Sequence, residues 1–123
     1  MQLSLVAAPF EDPNFIYEIK HDGLRALAYI SDGSCALFSR KNNHYKSFVT
    51  LRDSLARLNT PAILDGEIAC LDAEGRSHFW PLMGRKTQVS FYAFDLLWLG
   101  DKDLRGNRLL SRPFSEEAIL RVN

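Results

Sequence analysis

The run from Leu24 to Ser39 (LRALAYISDGSCALFS) constrains the fold more than any other part of the chain. Leu24, Ala26, Ala28 and Ile30 alternate with Arg25, Leu27 and Tyr29, which predicts a strand with its apolar residues on one face. Asp32-Gly33 is a two-residue hairpin signal, and Cys35 to Ser39 supplies the returning strand. A chain built around such a hairpin favours an antiparallel sheet.

The flanking segments extend that reading. Phe15 to Lys20 (FIYEIK) alternates like a half-buried strand, and His21-Asp22-Gly23 breaks it with a turn. Phe48, Leu51, Leu55 and Leu58 change the period to three or four residues, which predicts an amphipathic helix. Ser47 or Thr50 is placed to cap it, and Asn59-Thr60-Pro61 to end it. Ala62 to Leu71 reads as a strand interrupted by Gly66, Asp72 to Gly75 as a turn, and Gln88 to Leu99 as a further strand. Ser115-Glu116-Glu117 predicts a short helix running towards Asn123. The expectation is an α+β lobe: a mainly antiparallel, hairpin-connected sheet with one or two packed helices.

Composition sets limits on partners. The 123 residues suffice for one domain or one lobe of a larger one. Fifteen basic and fifteen acidic residues cancel, so a nucleic-acid partner needs a local patch, for which Arg40, Lys41, Lys46, Arg85 and Lys86 are the candidates. Cys35 and Cys70 are read as buried free thiols, and His21, His44 and His78 lack metal-ligand spacing and are read as non-catalytic. With no signal-peptide pattern and no long apolar run, the expected setting is cytoplasmic, away from membranes.

Chemistry concentrates in Glu18-Ile19-Lys20-His21-Asp22-Gly23-Leu24-Arg25. A lysine where a strand meets a tight turn is held on a rigid element at the mouth of a pocket. It becomes a nucleophile only when its amine is unprotonated, which desolvation and cations such as Arg25 and Arg40 would promote.

These residues carry a resemblance to a family. Lys20-His21-Asp22-Gly23-Leu24-Arg25 resembles the K-x-D-G-x-R nucleophile motif of covalent nucleotidyltransferases: ATP-dependent DNA ligases, RNA ligases and messenger-RNA capping enzymes. Four more segments follow in the family's order between residues 16 and 100. Phe38-Ser39-Arg40 is similar to the ligase F-S-R, and Asp65-Gly66-Glu67 to the D-G-E strand motif. Phe79, Leu82 and Arg85 match F-x-x-L-Q-x-R, with Met83 where glutamine is usual, and Tyr92 to Leu97 is similar to Y-x-F-D-L-L. The F-S-R and F-D-L-L segments favour a DNA ligase over the other two classes.

The resemblance implies a partial ligase adenylation domain, related to ATP-grasp-like folds, that uses ATP and Mg2+ to seal nicked double-stranded DNA in repair or recombination. It implies that Lys20 takes up AMP, Glu18 accepts from the adenine amino group, and Arg25 and Arg40 contact ribose and phosphate. Glu67 would bind the ribose or help place a metal, and Phe94 would stack on adenine. It also implies a later metal-binding glutamate, paired lysines and an oligonucleotide-binding barrel, none of which these residues contain. The expectation is therefore a piece completed by a further C-terminal region or a separate polypeptide, with activity in doubt for the piece alone. The alternatives are a non-catalytic nucleotide- or DNA-binding remnant, or an RNA ligase or capping-type transferase.

Overall fold

The computed structural model describes residues 8, 11–14, 20–78, 88–107 and 120–122. Strands β1 (Leu24–Ser31) and β2 (Ser34–Ser39) form the hairpin that the alternation predicts. Its turn places Asp32 at φ 51° and Gly33 at φ 68°, the left-handed pair that matches the twist of the flanking strands. Strands β3 (Ala62–Leu71) and β5 (Ser90–Leu99) continue the sheet, and β6 (Lys102–Asp103) pairs with the end of β5. The main strand order is β2-β1-β3-β5-β6, all neighbours antiparallel. The two-residue β4 (Ser77–His78) folds back on the end of β3.

The sheet has two unlike faces. Ala26, Ala28 and Ile30 of β1, Leu37 of β2, Leu64 and Ile68 of β3, and Phe91, Ala93 and Leu96 of β5 are buried on one of them. The single helix among the described residues, α1 (Val49–Ala56), lies across β2 and buries Leu51 and Leu55 in the same core. Burying each leucine contributes about 1.5–3 kcal/mol of hydrophobic free energy. The opposite face carries Arg25, Asp65 and Glu67.

Three expectations need correction. Neither Ser47 nor Thr50 caps α1: the N-cap is Phe48, at φ 62° and without a side-chain cap bond. The Phe48 ring instead packs against the core and edge-on to Tyr45, 6.0 Å away, so packing rather than capping sets the start of the helix. The helix stops at Ala56, leaving Leu58 39% exposed. Leu120–Val122 is strand β7 rather than helix, pairing antiparallel with Phe91–Ala93 of β5. Backbone donors and acceptors along the outer edge of β5 are satisfied by a strand and could not be by a helix. Residues 115–117, where the helix was expected to open, lie outside the described residues, as do Phe15–Ile19. Of the two free thiols, Cys70 is buried as expected and Cys35 is only half-buried.

Candidate nucleotide-binding site

Lys20 stands exposed at the head of the turn that leads into β1. The two glycines of the flanking motifs explain how closely that turn can approach the sheet. A Cβ on Gly23 would lie 2.1 Å from the carbonyl oxygen of Ile68, so only glycine lets the turn rest on β3. A Cβ on Gly66 would meet the Tyr92 carbonyl oxygen at 2.4 Å and the Phe91 ring at 2.6 Å. Gly66 thus brings β3 and β5 together beneath the site.

Register then decides which side chains share the face. Arg25 pairs with Glu67, Leu27 with Asp65, and Glu67 in turn with Tyr92. Directly opposed residues of an antiparallel pair point the same way, so Arg25, Asp65, Glu67 and Tyr92 are together. Two register shifts interrupt β3–β5, between Asp65 and Gly66 and between Ile63 and Leu64. The first leaves Phe94 as an extra residue between Ala93, opposite Gly66, and Asp95, opposite Asp65. A bulge re-aims its side chain, and the Arg25 guanidinium lies over the Phe94 ring, 4.4 Å from its centroid.

Arg25 also donates a fork of two hydrogen bonds to Asp65, Nε to Oδ1 at 2.6 Å and Nη2 to Oδ2 at 2.7 Å. That hydrogen bond, with the charges of Asp65, Glu67 and Asp95, outweighs the opposing effect of burial and holds the guanidinium more firmly protonated than usual. Glu67 is half-buried. Burial pushes its carboxyl up, while Arg25, a hydrogen bond from the Gly23 amide and the charge of Lys20 pull it back, and Asp22 adds to the rise. Lys20, Gly23, Arg25 and Glu67 are therefore one electrostatic group.

Four of the expected site residues, Lys20, Arg25, Glu67 and Phe94, meet on or beside this face. Arg40 is exposed in the turn after β2, one step beyond Ser39, which pairs with Ala26. Glu18 lies outside the described residues, as do Phe79, Leu82, Met83 and Arg85 of the fourth motif. Of the proposed basic patch, Arg40, Lys41 and Lys46 are exposed, and Arg85 and Lys86 lie outside the described residues.

Two residues are more engaged than sequence reasoning foresaw. Asp65, the first residue of D-G-E, anchors Arg25, a partner that only strand register reveals. His21 stacks on Tyr92, ring centroids 4.1 Å apart and planes 22° apart. Burial pulls its imidazole pKa down. The Nε2 of His21 and the hydroxyl of Tyr92 are both buried without a hydrogen-bond partner. Such atoms at a site mark places for water or ligand groups.

The donor set does not make a metal site by itself. No group of three or more His, Cys, Asp or Glu among the described residues could hold an ion, and Glu67 is flanked by the cations of Arg25 and Lys20. No helix among the described residues is long and apolar enough to cross a membrane.

The family described as "ATP dependent DNA ligase domain" matches residues 2–120. The chain is similar to the multifunctional non-homologous end joining protein LigD of Pseudomonas aeruginosa, 35% identical over 111 residues that cover 85% of this chain and 13% of that protein. It is also similar to a probable DNA ligase of Koribacter versatilis, 32% identical over 94% of this chain and 23% of that one. Among solved structures, a mycobacterial DNA ligase D complexed with ATP and MES aligns with a TM-score of 0.69 at 36% identity, covering 77% of this chain and 33% of that chain. The ligase domain of Mycobacterium tuberculosis LigD aligns with a TM-score of 0.65 at 35% identity. The chain thus spans about a third of these solved ligase chains, and it has the nucleotidyltransferase fold of their ligase domains. From the family match over residues 2–120 and these relatives, the chain belongs to the ATP-dependent DNA ligase domain family.

Proposed function

We propose that this chain carries the nucleotide-accepting part of an ATP-dependent DNA ligase, with Lys20 as its nucleophile. The observation that supports this best is the convergence of Lys20, Arg25, Glu67 and Phe94 around a turn held against β3 by Gly23. The neutral Lys20 amine attacks the α-phosphorus of ATP. A P–N bond forms, the bond to the bridging oxygen of the β-phosphate breaks, and pyrophosphate leaves while the amine gives up a proton. Capture of AMP on the enzyme divides a difficult condensation into easier steps.

Each neighbour has a part suited to its position. Phe94 offers a ring face to adenine, and Glu18 an acceptor to its amino group. Arg25, already held by Asp65, presents a fixed charge beside that ring, and Arg40 reaches phosphate from the rim. Glu67 accepts from a ribose hydroxyl. Magnesium would enter on the ATP phosphates, as this ion commonly does, because the described carboxylates form too small a donor set. The DNA partner is a nicked duplex, and Arg40, Lys41 and Lys46 are the described cations available to its phosphates.

The test is intact-mass analysis after incubation with ATP and magnesium, for wild type and Lys20→Ala. An AMP adduct on wild type alone supports the reading. A GTP-derived adduct in preference to AMP would point to a capping-type transferase. Equal nucleotide binding by both proteins with no adduct on either would make the chain a binding module.

A further inference from the structure

We propose that Ser77 is a positioning residue for Lys20, acting through the backbone amide of Asp22; the proposal rests on the reading of Lys20 as nucleophile. The Asp22 N–H donates to the Ser77 hydroxyl oxygen at 2.6 Å, a contact across 55 residues of sequence. The next amide, that of Gly23, donates to Glu67. Two consecutive N–H groups immediately after His21 are thereby tied to different strands, Gly23 to β3 and Asp22 to β4. With Gly23 also seated on the Ile68 carbonyl, the turn that follows the nucleophile has little freedom left.

Ser77 is in turn presented by a well-defined hairpin. Asp72 accepts from the amides of Glu74 at 3.0 Å and Arg76 at 2.8 Å through Oδ1, and its Oδ2 lies 2.7 Å from Nε2 of His78. The Asp72 amide donates to the Arg76 carbonyl and the Gly75 amide to the Asp72 carbonyl, both at 3.0 Å. Ser77 pairs with Leu71 and His78 with Cys70 at the end of β3. The hairpin therefore holds one hydroxyl at a fixed height above the Lys20 turn. Asp22 itself is exposed. Its amide would otherwise exchange partners with water, and the turn would sample orientations in which Lys20 faces away from the α-phosphate. Misplacement of a reacting group by about 1 Å costs up to roughly a hundredfold in rate.

The experiment uses the full chain as wild type, Ser77→Ala and Ser77→Thr. Hydrogen exchange of the Asp22 amide, read by NMR, reports the contact directly. The rate of AMP-adduct formation against ATP concentration reports its consequence. Loss of one neutral hydrogen bond should speed Asp22 exchange by about threefold to tenfold in Ser77→Ala. The adduct rate at saturating ATP should fall, with the half-saturating ATP concentration little changed, and Ser77→Thr should restore both readouts. A merely structural role would lower the thermal midpoint and spread faster exchange over the whole sheet. Unchanged Asp22 exchange in Ser77→Ala overturns the positioning role, whereas wild type that forms no adduct overturns the assignment of Lys20. Equal losses in Ser77→Ala and Ser77→Thr would also overturn the proposal.

Discussion

The Arg25–Asp65 pair is open to a quantitative test, because its geometry separates a structural contribution from a role towards nucleotide. The two side chains are 31% and 16% exposed and joined by two short hydrogen bonds. Charge-assisted hydrogen bonds contribute about 1.5–3 kcal/mol when well buried. With nearly a third of Arg25 in water, screening lowers that to about 1–2 kcal/mol. The guanidinium over Phe94 adds about 0.5–1 kcal/mol. Arg25→Met should therefore cost about 1.5–3 kcal/mol, since Asp65 is left as a largely buried, unpaired carboxylate. Asp65→Asn should cost about 1–2 kcal/mol and the double variant less than the sum, with a coupling of about 1 kcal/mol. Urea denaturation followed by circular dichroism at neutral pH gives all four stabilities. A coupling below about 0.3 kcal/mol would refute the argument that the fork holds Arg25 in place.

Three further outcomes follow from particular contacts. Gly66→Ala should unfold the chain or cost more than about 3 kcal/mol, because the new methyl meets the Tyr92 carbonyl at 2.4 Å and no flexible group can yield there; a thermal midpoint within a few degrees of wild type would contradict it. Burial pushes the Cys35 thiol up to about 11, so alkylation by iodoacetamide at pH 8 should be roughly tenfold to a hundredfold slower than in the urea-unfolded chain. Its hydrogen bond to His78, with those from the Arg76 and Glu74 amides, holds the Asp72 carboxyl below the usual carboxylate range. A depressed folded-state pKa contributes stability that is present above the unfolded value and lost as pH falls through the folded one. Protection of the Gly75 and Arg76 amides, measured against their intrinsic exchange rates, should thus fall below about pH 4 in wild type, and Asp72→Asn should abolish that loss of protection.

Much of the sheet was legible because its signals are local. Alternation in Leu24–Ile30 and the Asp32-Gly33 turn depend on neighbouring residues only, and both are present in the structure. Ala62–Leu71 is likewise a strand over the expected span. What sequence left hidden is long-range. The Asp65 partner of Arg25 lies 40 residues away and follows from register. Phe48 starts the helix through core packing rather than hydrogen bonding, so searching for a polar cap pointed to the wrong residues. Leu120–Val122 became a strand because β5 had an edge to fill, a tertiary demand that its own residues do not announce. At the site, the motif residues Lys20, Arg25, Glu67 and Phe94 were found from resemblance, while the stack of His21 on Tyr92 and the reach of Ser77 to Asp22 needed the folded chain.

The paired bulges in β5 carry a consequence for how this strand can change over time. Across them the core-facing residues are Phe91, Ala93 and Leu96, and the spacing passes from two to three. Removing either extra residue alone, Phe94 or Leu97, would leave every remaining residue of β5 opposite its present partner on β3. Removing both extra residues, Phe94 and Leu97, would restore a regular ladder with every buried side chain still inward. Length variation of a single residue should therefore be tolerated at either bulge, and loss of Phe94 would keep the core while removing the aromatic ring that Arg25 covers.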